Sequence, residues 1–398
     1  MAYRNEAAQR VATTAVDAIP AASTSDYSEI RTGRVERLLV VRFGAFGDMV
    51  LMTPMLRRLR QRFGATIDLL STGQWTEALL RHDPGIGEIQ PVTGRRVPYA
   101  LSYSQQAAVR WLRERGPTPT WFCQTDPAAR HLLRRAGIPD EMICDIADLP
   151  GVPDEHAARW WLRFADETPP SLSHLAPRLL RRADSRARLH VSEPMRMNLR
   201  VWLQRRGLLG HSLVLIQAGN KRTMRPLYRK RRTNTKYWPE ERWASVIRAI
   251  HEQDPSKHVV LMGTPGEHAL NEEIRARAGV PCVHNVARDL PIDILLPLLE
   301  IAHSMIGVDT GPAHAAAALN CPQVTLFGEA SPTQYFPGGE RTPTTVLTGE
   351  SDGRVSMMGI QAHTVIDAWV NLQGRRFTLQ PINLGQRTAS PLHGDVHV

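Results

Sequence analysis

Residues 35–71 read VERLLVVRFGAFGDMVLMTPMLRRLRQRFGATIDLLS, and this stretch restricts the fold more than any other. A run rich in Leu and Val enters a glycine loop. The loop enters a helix-period pattern of Met49, Val50, Met52, Met55, Leu56 and Leu59, and ATIDLLS then reads as a second strand. Two strands joined through a helix are parallel, and a parallel sheet needs helices on both faces. The spacing therefore predicts an α/β chain with a βαβ unit at its start.

The same series restarts near residue 211. HSLVLIQAG (211–219) is a strand into a glycine, and YWPEERWASVIRAIHEQ is a helix with Pro239 and Glu240 suiting its first turn. HVVLMGTPGE (258–267) is another strand and loop. DILLPLLEIAHSMIGVDTGPAHAAAALNCPQVTLFG then gives helix, short strand, loop, helix and strand. The length of 398 residues suits two domains. The division expected is a loose N-terminal tail (1–35), a Rossmann-like domain (36–207), a second Rossmann-like domain (208–355) and a closing helix with a polar tail (356–398). Residues 95–205 are less regular, with helical patches in YSQQAAVRWLRERG and DEHAARWWLRFADE and a helix at 193–207 that Gly207 caps.

Lys and Arg number 49 against 39 Asp and Glu, a net charge of +10 that favours anionic partners without choosing among them. Four scattered cysteines (Cys123, Cys144, Cys282, Cys321) form no CxxC pair, which argues against a disulfide frame or a zinc ribbon. No apolar run approaches the ~18 residues of a membrane span, and the first 30 residues have no apolar signal core.

Four stretches carry chemistry. GAFGD (44–48) lacks the GxGxxG spacing of a dinucleotide loop; Asp48 is either a first-turn cap or a carboxylate at the carboxyl edge of a parallel sheet, where open α/β sheets bind ligands. VDTGPAHAAAALN (308–320) ends a strand at Asp309. Thr310 and Gly311 turn into an alanine-rich helix with His314 in its first turn, an arrangement suited to a diphosphate. NKRTMRPLYRKRRTNTK (220–236) holds eight basic residues and no acid. It reads as a solvated loop or as a nucleic-acid surface, and its few aromatics and missing binding motif weigh against the second. Lys236, just before an anchored helix, is placed to reach a phosphate. In GTPGEH (263–268), Glu267 either caps the next helix or accepts from a ribose diol. The HExxH, GxSxG, Walker and DxD patterns are all missing, so a nucleotide sugar would be handled without a metal.

GAFGD, KYWP, GTPGE and DTGPAHAAAALNCPQVTLFG occur in an order that resembles glycosyltransferase family 9, the ADP-heptose:lipopolysaccharide heptosyltransferases, and SMMGIQAHTVIDAW (356–369) resembles that family's closing segment. The resemblance implies a GT-B architecture, two Rossmann-like domains facing each other across a cleft. It implies inverting, cofactor-free and metal-free transfer of a heptose from ADP-heptose. Asp48 is then the catalytic base. Lys236, Glu267, Leu290, Asp309, Thr310, Gly311 and His314 bind the donor, and Gly44, Gly47 and Gly219 shape the loops. The implied partners are the nucleotide sugar and an anionic glycolipid such as a lipopolysaccharide inner core, with no nucleic acid. The implied place is the cytoplasm, with the positive charge suiting peripheral contact with an anionic inner leaflet. A protein or small natural product as acceptor, another nucleotide sugar as donor, and a non-catalytic nucleotide- or nucleic-acid-binding protein are the rival readings.

Overall fold

A computed structural model describes residues 35–73, 75–175, 184–223, 234–338 and 342–372. The N-terminal tail, most of the basic 221–236 run and the tail beyond 372 lie outside the described residues.

Two all-parallel sheets organise the chain. The first contains β1 (Arg37–Arg42), β2 (Thr66–Ser71), β3 (Ile86–Pro91), β4 (Thr120–Phe122) and β5 (Ile143–Asp145), in the order β3-β2-β1-β4-β5. The second contains β6 (Ser212–Gln217), β7 (Lys257–Leu261), β8 (Val283–Asn285), β9 (Ser304–Val308), β10 (Gln323–Phe327) and β11 (Thr344–Thr348). Its order, β11-β10-β9-β6-β7-β8, is the doubly wound order of a nucleotide-binding fold. The strand order of each sheet reverses once, between β1 and β4 and between β6 and β9, and the loops at those two points are the GAFGD and DTGPAH loops. A small antiparallel pair, β12 (Glu350–Ser351) and β13 (Arg354–Val355), follows.

The first domain carries helices α1 (Phe46–Leu51), α2 (Thr53–Phe63), α3 (Trp75–Leu80), α4 (Tyr103–Arg115), α5 (Pro127–Ala136) and α6 (Ala157–Asp166). After α7 (Glu193–Arg205) come α8 (Glu240–Gln253), α9 (His268–Ala278), α10 (Ile292–Ile301), α11 (Gly311–Ala318), α12 (Pro332–Tyr335) and α13 (Ala362–Val370). Local chemistry sets their ends. Asp126 accepts from the Ala128 amide at 3.0 Å to start α5, and Gly64 at φ 65° closes α2, its amide donating to Arg60 at 2.8 Å.

Leu38, Leu39, Val40 and Val41 are fully buried, as a central strand covered on both faces requires. One apolar cluster runs from Leu38 and Met55 through Leu199 and Trp202 to Leu298 and Ala316, so the core crosses from one sheet's helices to the other's. Helix α7 is the bridge. It packs on α10, where Arg196 forks onto Glu300 with two bonds of 2.8 Å and the Trp202 indole donates to the Asp289 carbonyl at 3.0 Å.

Candidate functional site

On the first domain the site is built where β1 gives way to α1. Asp48 is the third residue of α1, and its Oδ2 accepts from the Ala45 amide at 2.9 Å, closing the helix's first turn. The carboxylate is still 40% exposed, so capping does not consume it. Arg42, the last residue of β1, reaches Asp48 Oδ2 at 3.4 Å and donates to the Cys123 carbonyl beyond β4 at 3.0 Å. Its guanidinium lies over the Trp161 ring. Arg42 thus ties the acid to both strands of the switch point. Gly44 leaves the room: a Cβ there would sit 2.9 Å from both Asp48 Cβ and Arg42 Nε.

On the second domain, Lys236 Nζ donates to Asp309 Oδ2 at 2.6 Å and to the Asp309 carbonyl at 2.7 Å. Asp309 is 6% exposed at its side chain and Lys236 34%, so the acid is buried and the ammonium remains open to an incoming anion. The Asn220 side chain donates to the Lys236 carbonyl at 3.0 Å and fixes the backbone that presents the lysine. His314, in the first turn of α11, is buried with Nε2 3.8 Å from Asp309 Oδ1. Burial, outweighing the attraction of Asp309, pushes its pKa down to about 4, so the imidazole is neutral at pH 7. Its Nδ1 is buried without a hydrogen-bond partner, an atom that a bound ligand could satisfy. Thr310 is the residue before α11, and its hydroxyl donates to the Val308 carbonyl at 3.1 Å.

Glu267 is almost fully buried at the carboxyl edge of the same sheet. Oε2 accepts from the Thr264 amide at 2.7 Å and hydroxyl at 2.9 Å, and Oε1 accepts from Gln217 at 3.1 Å. Burial raises its pKa against those donors. Gly219 is required there, since a Cβ would fall 2.1 Å from Glu267 Oε1. Leu290 follows β8 and is half-buried against the shared core ahead of α10.

The two halves meet. Helices α1 and α11 pack with their glycines in contact. A Cβ on Gly47 would lie 2.9 Å from the His314 ring, and one on Gly311 would lie 2.6 Å from Phe46. Bonds also span the domains: the His156 ring Nε2 meets the Phe336 carbonyl at 2.9 Å, and Arg81, just after α3, donates to Asp293 of α10 at 2.7 Å. The acid of one domain and the cation–helix cradle of the other are therefore neighbours. Sequence reasoning missed Arg42, Gln217, Asn220 and His156. Of these only Arg42 left a signal, a charge ending an otherwise apolar strand. Two clefts open at the carboxyl edge of the first sheet. One, of about 870 Å³, is lined by Thr72, Gly94, Arg95, Arg96, Asp126 and Ala128. The other, of about 250 Å³, includes Gln124, Arg130, His131 and Arg134. Among the described residues no group of three or more His, Cys, Asp or Glu is arranged to hold a metal ion.

Two nucleotide-binding folds joined face to face, each with its switch point at the junction, define the GT-B class. The solved glycosyltransferase family 9 structure from Veillonella parvula aligns with a TM-score of 0.67 at 18% identity, covering 84% of this chain and 96% of that one. The structure of Escherichia coli ADP-heptose lipopolysaccharide heptosyltransferase II aligns with a TM-score of 0.64 at 20% identity, covering 84% and 97%. Residues 218–354 match the model of glycosyltransferase family 9 (heptosyltransferase). The chain is 36% identical over 95 residues to lipopolysaccharide heptosyltransferase 3 of Escherichia coli, a stretch spanning 23% of this chain and 27% of that protein.

Proposed function

We propose that the protein is an inverting, metal-independent glycosyltransferase that moves a heptose from ADP-heptose to an acceptor hydroxyl of a lipopolysaccharide inner core. The observation that carries this reading is the apposition of Asp48 to the Lys236–Asp309–His314 cradle through the Gly47–His314 contact. In this reading Asp48 takes the acceptor proton as the new C–O bond forms, and the C–O bond to the diphosphate breaks on the opposite face of the sugar. Lys236 and the first-turn amides of α11 then receive the charge of the departing ADP. Asp309 does not touch the phosphate, which would repel it; it holds Lys236 in place. Glu267 accepts from the adenosine ribose with the lone pairs that Thr264 and Gln217 leave. The arginine-lined clefts of the first domain suit an acceptor bearing phosphates and carboxylates. The reaction belongs in the cytoplasm, at the inner-membrane surface where such an acceptor is anchored.

The experiment is ADP release from ADP-heptose in EDTA, with and without a deep-rough lipopolysaccharide core, for the wild type and Asp48→Ala. Core-dependent release that survives EDTA and collapses in the variant is expected. Donor binding without turnover on any core would remove the acceptor assignment, and no binding of ADP-heptose would remove the donor.

A further inference from the structure

The connection from β3 to α4 carries an apolar feature that neither the core nor the proposed chemistry uses. Ten large apolar side chains are exposed among the described residues. Three of them, Val97, Leu101 and Tyr103, fall within seven positions, and Leu101 and Tyr103, each 77% exposed, are the most exposed of all. Scattered single apolar residues on a surface mean nothing; three together at one protruding turn do. The turn is also built to hold its shape. Gln105 donates to the carbonyls of Gly94 and Val97 at 3.2 and 2.8 Å, and Gln106 to those of Tyr99 and Ala100 at 3.2 and 3.0 Å. Leu101 is thus presented on a braced turn.

Arginines surround it. The Arg135 guanidinium lies 4.3 Å from the Tyr99 ring centre and that of Arg110 5.7 Å from the Tyr103 ring centre, while Arg113 donates to the Arg135 carbonyl at 2.7 Å. Between residues 92 and 137 there are eight arginines and two acids; two of the eight are paired with acids outside the stretch, Arg115 with Asp68 and Glu88 and Arg130 with Asp140 and Asp145. One of the acids, Asp126, stands 3.6 Å from Arg95, which leaves Glu114 as the only other carboxylate on this stretch.

We infer that this face docks the protein on an anionic phospholipid surface, with Leu101 and Tyr103 entering the headgroup boundary and the arginines pairing with lipid phosphates. Apolar tips ringed by cations combine the two terms that interfacial binding needs, buried apolar area and attraction to negative lipid. A second copy of the chain is a poor occupant, because a self-complementary contact would set the arginines against each other. The same connection supplies Gly94, Arg95 and Arg96 to the larger cleft, so a docked protein would hold that cleft beside the bilayer. The purpose of this arrangement rests on the glycolipid-acceptor reading; the docking does not.

The test is flotation of the full chain with vesicles of phosphatidylethanolamine and phosphatidylglycerol, and with phosphatidylcholine alone, for the wild type and the double variant Leu101→Asp, Tyr103→Ser. The wild type should float with the anionic vesicles and not with the neutral ones. The variant should bind about tenfold more weakly or worse while melting at the wild-type temperature and binding ADP as before. Three results would each overturn the inference: a wild type that stays behind with anionic vesicles, a variant that floats as the wild type does, or a lipid-free dimer that the variant abolishes. Vesicle binding without ADP-heptose turnover would bring down the enzymatic reading and leave the docking surface standing.

Discussion

Asp48 sits where it does because Gly44 has no side chain. A methyl group at Gly44 would press on Asp48 Cβ and Arg42 Nε, both 2.9 Å away, and turn the carboxylate from its bond to Ala45. Gly44→Ala should therefore lower kcat while leaving ADP affinity intact, and Asp48→Asn should lower it further, by about 10²–10⁴-fold, in the same ADP-release assay. Lys236 makes the opposite prediction. Its ammonium is the open end of a pair whose acid is buried, so Lys236→Met should weaken ADP binding by roughly tenfold or more, a charge-assisted contact being lost. Isothermal titration with ADP measures this; unchanged affinity would put the phosphates elsewhere.

At the scale of elements, the junction of α1 and α11 decides how the two domains face each other. The paired glycines let the helices approach until Gly47 touches the His314 ring and Gly311 touches Phe46. Gly47→Val should cost about 1–3 kcal/mol of stability by overpacking, read as a lower urea midpoint. It should also lower turnover, because separating α1 from α11 would move Asp48, the proposed base, away from Lys236 and His314. A Gly47→Val protein with wild-type turnover would show that the observed contact is not the reacting arrangement. Helix α7 illustrates the limit of a linear reading. Its pattern and its capping Gly207, at φ 64°, are visible in the sequence, but its packing on α10 through Arg196 and Glu300 joins residues a hundred positions apart.

For the whole molecule, acid is the sensitive variable. Burial pushes His258, His303 and His314 each down to about 4, with His258 also opposed by His211 and His284, and His303 by Lys257. Unfolded, each would take up its proton near the ordinary value of about 6.5. Between about 6.5 and about 4 the unfolded chain therefore binds more protons than the folded one. The stability these groups confer is complete above that window and is lost as the pH falls through it. The urea midpoint should drop from pH 7 to pH 5, and His314→Gln should flatten part of the fall. A midpoint that does not change over that range would mean that these rings titrate alike in both states.

The two βαβ series, the strand-to-loop positions of Asp48 and Asp309, and the glycines beside them were legible because they are local. Period, apolar runs and turn residues follow from backbone geometry over a few positions. The same local signals marked Lys236 and Glu267 as candidates while leaving each a bland reading, and for Glu267 both readings have a basis, since it caps its turn through Thr264 and is buried beside Gln217. Hidden from the sequence were the pairings: Arg42 on Asp48, Lys236 clamped by Asp309, His156 against Phe336, and the exposure of Leu101 and Tyr103 beside Arg110 and Arg135. Arg42 and Asp48 lie six positions apart in one strand–loop–helix turn; the others join chain positions that only the packing of helices on two sheets brings together, or leave an apolar side chain where no neighbouring element covers it. Local backbone preferences determine the elements; which side chains meet, and which stay uncovered, is decided by how those elements pack.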